Sequence, residues 1–318
     1  MCTSILMKSE KTYFGRNMDL HYPLEMNVII TPRKYTFPFR KSGEVNEHLA
    51  MIGMGMVRDG YPLYFEASNE YGLAMAGLNF PDNAHYSAEA DDEKSNISPF
   101  ELIPWVIGGC KSVDDAQILL ENTHICAIDF SLDMPLSPLH WHIADGKRSI
   151  TFEVTEKGQN IYENPVNVMT NNPTFDFHLQ NLARYLNLTN VNKENCFSDV
   201  GIKPFSGGFG AIGLPGDFSS TSRFVKAAFL LANSNESTLA QYFHILDSVA
   251  MVKGSIKVED RDDVTLYSCA IDLENSVYYY KTQKNNRICA VKMNGVQLDG
   301  NELFIYSADE AQDVFFKN

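Results

Sequence analysis

Cys2 is the residue that most invites chemistry, because of where it stands. Methionine before a small residue such as cysteine is normally removed, so the mature chain is expected to begin with Cys2 carrying a free α-amine. That amine has a reference pKa of ~7.7–8.0, far below that of lysine, and can accept a proton near neutral pH. A thiol and a base then share one residue, which is what nucleophilic catalysis asks of a nucleophile and its activating group. Phe14-Gly15-Arg16-Asn17-Met18-Asp19 brings further candidates. With Glu10 and Lys11 as the tip of a two-residue hairpin, Cys2 is set opposite Asp19. A carboxylate there would hold the amine and favour its protonation, and an arginine nearby would lower the thiol pKa. Strict alternation places Arg16 and Asp19 on opposite faces, so a bulge or strand end near Arg16 to Asp19 is required.

Other reactive residue types fit ordinary roles. Cys110, Cys126, Cys196, Cys269 and Cys289 are scattered without a Cys-x-x-Cys pair, which suits reduced thiols, most of them packed as small hydrophobes. His140 and His142 share a strand face, but no third ligand has recognisable spacing, so they read as a partly buried pair and no metal is expected. The glycines of Ser206 to Gly213 lack the Lys-Ser/Thr of a phosphate loop and read as a mobile loop at a cleft. Taken alone, Asn171-Asn172-Pro173 is a turn before a helix and Arg223 a surface cation on one.

The elements that must position these residues come in segregated runs. Two-residue alternation marks strands over Cys2 to Lys8, Thr12 to Asn17, Asn27 to Thr31, Leu49 to Val57, Tyr61 to Ala67 and Leu73 to Leu78. Pro81 to Asn96 is acidic and reads as a loop. Ser98-Pro99-Phe100-Glu101 and Ser112-Val113-Asp114-Asp115 start two helices. Strands resume at Leu139 to Ile143 and Ser149 to Val154. Helices follow from Pro173 to about Leu188, Ser219 to Leu231 and Thr238 to Ala250. The last strands are Val264 to Ile271, Val277 to Lys281, Ile288 to Met293 and Leu303 to Tyr306. Segregation of strands and helices implies an α+β fold of antiparallel sheet with helices outside. With no internal repeat and no Pro/Ser-rich linker, residues 1–318 read as one domain.

Composition narrows the partners. The chain is 44% hydrophobic and 21% charged, which argues for a globular core and against disorder. Lys and Arg number 26 against 40 Asp and Glu, a net charge of −14 that repels nucleic acid and anionic lipid, so neither is an expected partner. No run approaches about 18 apolar residues, so no membrane span is expected. The first ten residues lack the basic flank and apolar stretch of a secretory signal, so a cytoplasmic chain is expected.

Five ordered blocks carry a resemblance: Met1-Cys2-Thr3, the Phe14 to Asp19 block, Gly77-Leu78-Asn79-Phe80-Pro81, Thr170-Asn171-Asn172-Pro173-Thr174-Phe175-Asp176, and Leu214 to Phe224. Together they resemble the choloylglycine hydrolase family, which comprises bile salt hydrolases and penicillin V acylases of the N-terminal nucleophile superfamily. The resemblance implies a four-layer αββα fold and C–N amide hydrolysis without a cofactor. It implies Cys2 as nucleophile with its own α-amine as base, and Arg16 and Asp19 supporting thiolate and amine. Asn171 corresponds to an oxyanion side-chain donor, Asn79 to the position of a further donor, Arg223 to the arginine closing the polar network, and Met18 to a substrate-binding position. Two donors suit a tetrahedral oxyanion, since losing one typically costs ~10²–10³ in rate.

Within that family Asn79 favours conjugated bile salts as the substrate, because members acting on penicillin V often carry an aromatic there; penicillin V acylase is the runner-up. A non-catalytic cytosolic binder with an apolar cleft is the rival of another class. The Pro81 to Asn96 and Phe205 to Leu214 loops are expected to wall the cleft. The absence of arginine from Phe205 to Gly213 favours glycine over taurine conjugates. The resemblance also implies a homotetramer.

Overall fold

The computed structural model describes residues 1–8 and 10–318. Its first two strands, Cys2–Lys8 and Thr12–Leu20, pair antiparallel with Cys2 opposite Met18, Ser4 opposite Arg16 and Lys8 opposite Thr12. Three residues therefore separate the last pair, where the sequence reading has two. The register moves by one, so Cys2 faces Met18 and not Asp19. A one-residue slip exchanges the faces of a strand, and this one sends the Arg16 and Met18 side chains to the side of Cys2.

The hairpin sits inside a six-stranded sheet whose order is Val168–Met169, Cys2–Lys8, Thr12–Leu20, Val264–Asp272, Val277–Thr282 and Cys289–Lys292. The second sheet runs Gly158–Glu163, Ser149–Thr155, Leu139–Ala144, Ala74–Asn79, Tyr61–Asn69, Met51–Arg58, Asn27–Thr31 and Phe304–Ser307. Neighbours within both sheets are antiparallel. Asp59 and Gly60, both at positive φ (50° and 78°), turn the hairpin between Arg58 and Tyr61, as a two-residue turn matching strand twist demands.

Three apolar layers follow from the alternation. Leu6, Phe14 and Met18 of the first sheet meet Ile30, Ile52 and Leu78 of the second. Helices Leu102–Gly109 and Val113–Glu121 cover the outer face of the second sheet. Helices Ser220–Ala232 and Leu239–Asp247 cover the outer face of the first. The architecture is αββα. Gly15 marks a close approach of two strands: a Cβ there would lie 2.2 Å from the Cys269 carbonyl oxygen.

Some elements depart from expectation. The helix after Pro173 covers Phe175–Asn181 and continues only as a 3-10 turn over Leu182–Tyr185. Strand Gly158–Glu163 is half-exposed, with little apolar alternation to announce it. His140 and His142 are fully buried rather than partly so.

Candidate active site

Cys2 opens its strand, and this position lets it meet two faces at once. Its side chain points between the sheets, where Arg16 Nη2 donates to Sγ and, at 3.5 Å, to Met18 Sδ. Arg16 is itself fixed by the Gly77 carbonyl and, at 3.4 Å, by the Phe65 carbonyl. Burial opposes the Arg16 charge, yet Cys2, Tyr267 and Glu66 raise its pKa above the usual value. The Cys2 backbone meets the other face: its N–H donates to Asn171 Oδ1 at 2.7 Å, and its carbonyl accepts from Arg223 Nη1 at 2.5 Å.

Arg223 is buried, not a surface cation. It also donates to Thr3 Oγ1 (2.6 Å), Asn171 Oδ1 (2.9 Å) and the Phe218 carbonyl (3.0 Å). Burial lowers its pKa, and Asp19, Cys2 and Asp263 work against that fall. The Asp217 to Ser222 segment explains how the helix start is aimed. Asp217 accepts from the Ser219 N–H and the Ser222 hydroxyl, and hydrogen bonds from these two serines hold its carboxyl at about 2. Ser219 caps the helix on the Ser222 N–H, while the Asn171 N–H donates to Ser220 Oγ at 2.8 Å. The two sequence blocks around Asn171 and Arg223 are thereby locked together.

Asn171 Nδ2 donates to the Asn79 carbonyl at 2.7 Å, so strand Ala74–Asn79 is tied to the same point. Behind Asn171 lie two buried histidines. His140 Nε2 donates to the Thr170 carbonyl (2.9 Å) with its Nδ1 3.1 Å from Glu153, and His178 Nε2 donates to the Asn171 carbonyl (2.8 Å). Burial pushes His178 down to about 4, which suits a neutral donor.

Asp19 faces the helices, opposite to Arg16, as alternation requires. Its Oδ1 accepts from Thr265 Oγ1 at 2.5 Å, and its Oδ2 is buried with no hydrogen-bond partner. Burial raises its pKa against the pull of Arg223 and the N-terminal amine. The Met1 amine donates to the Asp19 carbonyl at 2.6 Å and lies 3.5 Å from Asp263, a buried carboxylate that sequence reading missed. Asp263 ends an unremarkable charged run, Glu259 to Asp263, and no pattern separates it from its neighbours.

The bulge expected near Arg16 to Asp19 is in the neighbouring strand. Register shifts between Thr265 and Tyr267, so Thr265 holds Asp19 on the helix side while Tyr267 points between the sheets. No bulge interrupts Thr12–Leu20 against its hairpin partner.

Above Cys2 opens a cleft of about 670 Å³. Met18 and Asn79 line it, together with Leu20, Leu63, Phe65 and Phe100. Its far wall is the Ile128 to Leu139 segment, which sequence reading passed over. From the expected loop walls only Pro81 contributes, and Phe205 to Leu214 lines none of it. The absence of arginine from that loop thus decides nothing about the leaving group. Among the described residues no group of His, Cys, Asp and Glu could hold a metal ion, and no helix is long and apolar enough to cross a membrane.

A buried N-terminal-segment cysteine set between two antiparallel sheets defines the class, the N-terminal nucleophile hydrolase fold. The sequence pattern of the linear amide C–N hydrolases, choloylglycine hydrolase family, matches residues 2–306. A bile salt hydrolase/transferase of Lactiplantibacillus plantarum is 45% identical over 96% of each chain, and one of Clostridium perfringens 38% identical over 99% of each. A crystal structure of a variant conjugated bile acid hydrolase from Clostridium perfringens superposes with TM-score 0.95 at 36% identity, covering 100% of both chains. A penicillin V acylase from Agrobacterium tumefaciens, 20% identical, covers 96% of this chain and 90% of its own with TM-score 0.75, a likeness of fold. The chain belongs to the choloylglycine hydrolase family.

Proposed function

We propose that this chain hydrolyses the amide of glycine- or taurine-conjugated bile salts, with Cys2 as nucleophile. The observation that carries the reading is Arg16 donating to the Cys2 sulfur at the floor of a largely apolar cleft. Removal of Met1 frees the Cys2 amine, and the unpartnered Asp19 Oδ2 is an acceptor suited to its ammonium form. The thiolate attacks the carbonyl carbon, and the amine keeps the thiol proton. Asn171 Nδ2 has two hydrogens and spends one on the Asn79 carbonyl, leaving one for the oxyanion. As the oxyanion collapses the C–N bond breaks, and the ammonium gives its proton to the departing glycine or taurine nitrogen. Water, deprotonated by the same amine, then attacks the thioester; the C–S bond breaks and free bile acid leaves.

An anionic substrate is opposed by the net charge of −14, so apolar contact with the steroid must supply the affinity. Side-by-side kinetics on glycocholate, taurocholate and penicillin V test the assignment. The expected result is a higher kcat/KM for both bile salts; preference for the penicillin makes the chain an acylase of the other kind. Intact mass is expected to show the loss of Met1, since retention leaves no free amine at Cys2.

The homotetramer implied by the family finds support in an apolar stretch open to solvent, with Phe197 and Phe205 each 90% exposed. Light scattering is expected to read four chain masses, and a monomer at micromolar concentration would defeat the idea. Free cysteines throughout suit a reducing cytoplasm, which fractionation of the native cell can check.

A further inference from the structure

A second register shift lies beside Arg16, in strand Tyr61–Asn69. Met54 pairs with Glu66 and Gly55 with Tyr64, so Phe65 is an extra residue in its strand. The bulge turns consecutive residues toward the space between the sheets: Phe65 packs into the inter-sheet core and Glu66 reaches across it. Glu66 is fully buried. Its Oε2 lies 3.9 Å from Arg16 Nη1 and accepts from Tyr267 at 2.8 Å, and its Oε1 accepts from Tyr278 at 2.5 Å. Both tyrosines come from the opposite sheet. The bulge at Thr265/Tyr267 is what brings Tyr267 there.

Two irregularities on facing sheets thus converge on one carboxylate that nothing in the catalytic steps uses. We infer that Glu66 is a positioning residue for the reaction: it fixes Arg16 against the Cys2 sulfur and is Arg16's counter-charge while that sulfur is acylated. With the thiolate present, Arg16 has two anionic neighbours. In the thioester the sulfur is neutral, and without Glu66 the guanidinium would stand as an unpaired cation between two apolar sheets, a costly state. Glu66 therefore keeps the acyl-enzyme accessible and keeps Arg16 from holding the thiolate too tightly to react. Burial pushes the Glu66 carboxyl up, and Arg16 and the hydroxyls of Tyr278 and Tyr267 pull it back.

The ionisable groups facing Glu66 are Arg16, Tyr278, Tyr267 and Cys269. Those facing the Cys2 sulfur are Arg16, Arg223 and Tyr22, with the amine of the same residue and, on the helix side, Asp19 and Asp263. Glu66→Gln removes one negative charge from this set and keeps the shape.

The inference rests on Cys2 as nucleophile, so one measurement is chosen that needs no substrate. Carbamidomethylation of Cys2 by iodoacetamide, followed by peptide mass across pH on the mature enzyme, is expected to move its midpoint down by on the order of one pH unit in Glu66→Gln. On glycocholate, kcat is expected to fall about threefold with KM within about twofold, since a more stabilised thiolate is a weaker nucleophile. An unchanged or raised midpoint overturns the inference, whatever happens to thermal stability. Tyr267→Phe with Tyr278→Phe strips the carboxylate of its donors and should move the midpoint the same way, less far; it serves if Glu66→Gln does not fold. If bile salts prove to be the wrong substrate, the alkylation profile still reads Glu66.

Discussion

Cys2→Ala is expected to lower hydrolysis of glycocholate by on the order of 10⁴-fold or more, the scale seen when a covalent nucleophile is deleted while binding and oxyanion donors remain. Alanine is small, so Met1 is still removed and the amine stays; the substitution isolates the thiol. The side chain is nearly buried, and one sulfur exchanged for hydrogen beside Met18 leaves the strand pairing untouched. Affinity for the bile salt should therefore survive within a few-fold, because the cleft walls supply it. Stopped assays with calorimetric binding check both halves. Residual hydrolysis above about one hundredth of the native rate would remove Cys2 from the chemistry and require another nucleophile. Cys2→Ser should lose nearly as much, since a hydroxyl is far harder to ionise than a thiol at the pH where the amine can act.

The layers of the fold were legible because period-two alternation and helix starts report burial directly. Strands Cys2–Lys8 and Asn27–Thr31 fall where alternation puts them, and the helix after Ser112 begins with Ser112 accepting from the Asp115 N–H. What alternation does not report is register and its interruptions. Alternation alone leaves the hairpin one residue short, and the consequence is large: it exchanges Met18 and Asp19 as the residue across from Cys2. Bulges leave no residue signature, so Thr265 and Tyr267 serving opposite faces, and Glu66 turning inward beside Phe65, lay beyond sequence reasoning. Both are sites where one strand must answer to two layers.

The site itself was legible at the level of residues, through ordered blocks, and less so in its contacts. Arg16, Met18 and Asn79 reach Cys2 or its cleft directly. Asn171 and Arg223 reach it through backbone, which a list of side chains cannot anticipate. The cleft wall from Ile128 to Leu139 escaped because its apolar residues are separated by prolines and polar residues, a pattern that reads as loop.

Arg223→Leu is expected to be the most damaging change outside the nucleophile. The guanidinium satisfies the Cys2 carbonyl, Thr3 Oγ1, Asn171 Oδ1 and the Phe218 carbonyl from a fully buried position. Leucine strips the Cys2 and Phe218 carbonyls and Thr3 Oγ1 of this donor, at about 1–3 kcal/mol each where no water enters, while Asn171 Oδ1 keeps the Cys2 N–H. It also removes the cation that draws the Asp19 pKa down against burial. Stability should fall by about 3–5 kcal/mol, the usual result of breaking a buried charge set. The loss in kcat should reach ~10²–10³, because Asn171 and the Cys2 amine are both held through this one group and small displacements of reacting groups are expensive. The pH profile carries the sign. In the proposed mechanism Asp19 must be ionised to hold the ammonium; burial already raises its pKa, and without Arg223 it rises further, so the acid limb of kcat/KM is expected to move to higher pH. Arg223→Lys keeps a charge but not the four-way reach, and should fold with a smaller loss in kcat and a smaller displacement of the same limb. An Arg223→Leu protein with native kcat/KM and an unmoved acid limb would mean that Cys2, Asn171 and Asp19 hold their places without it.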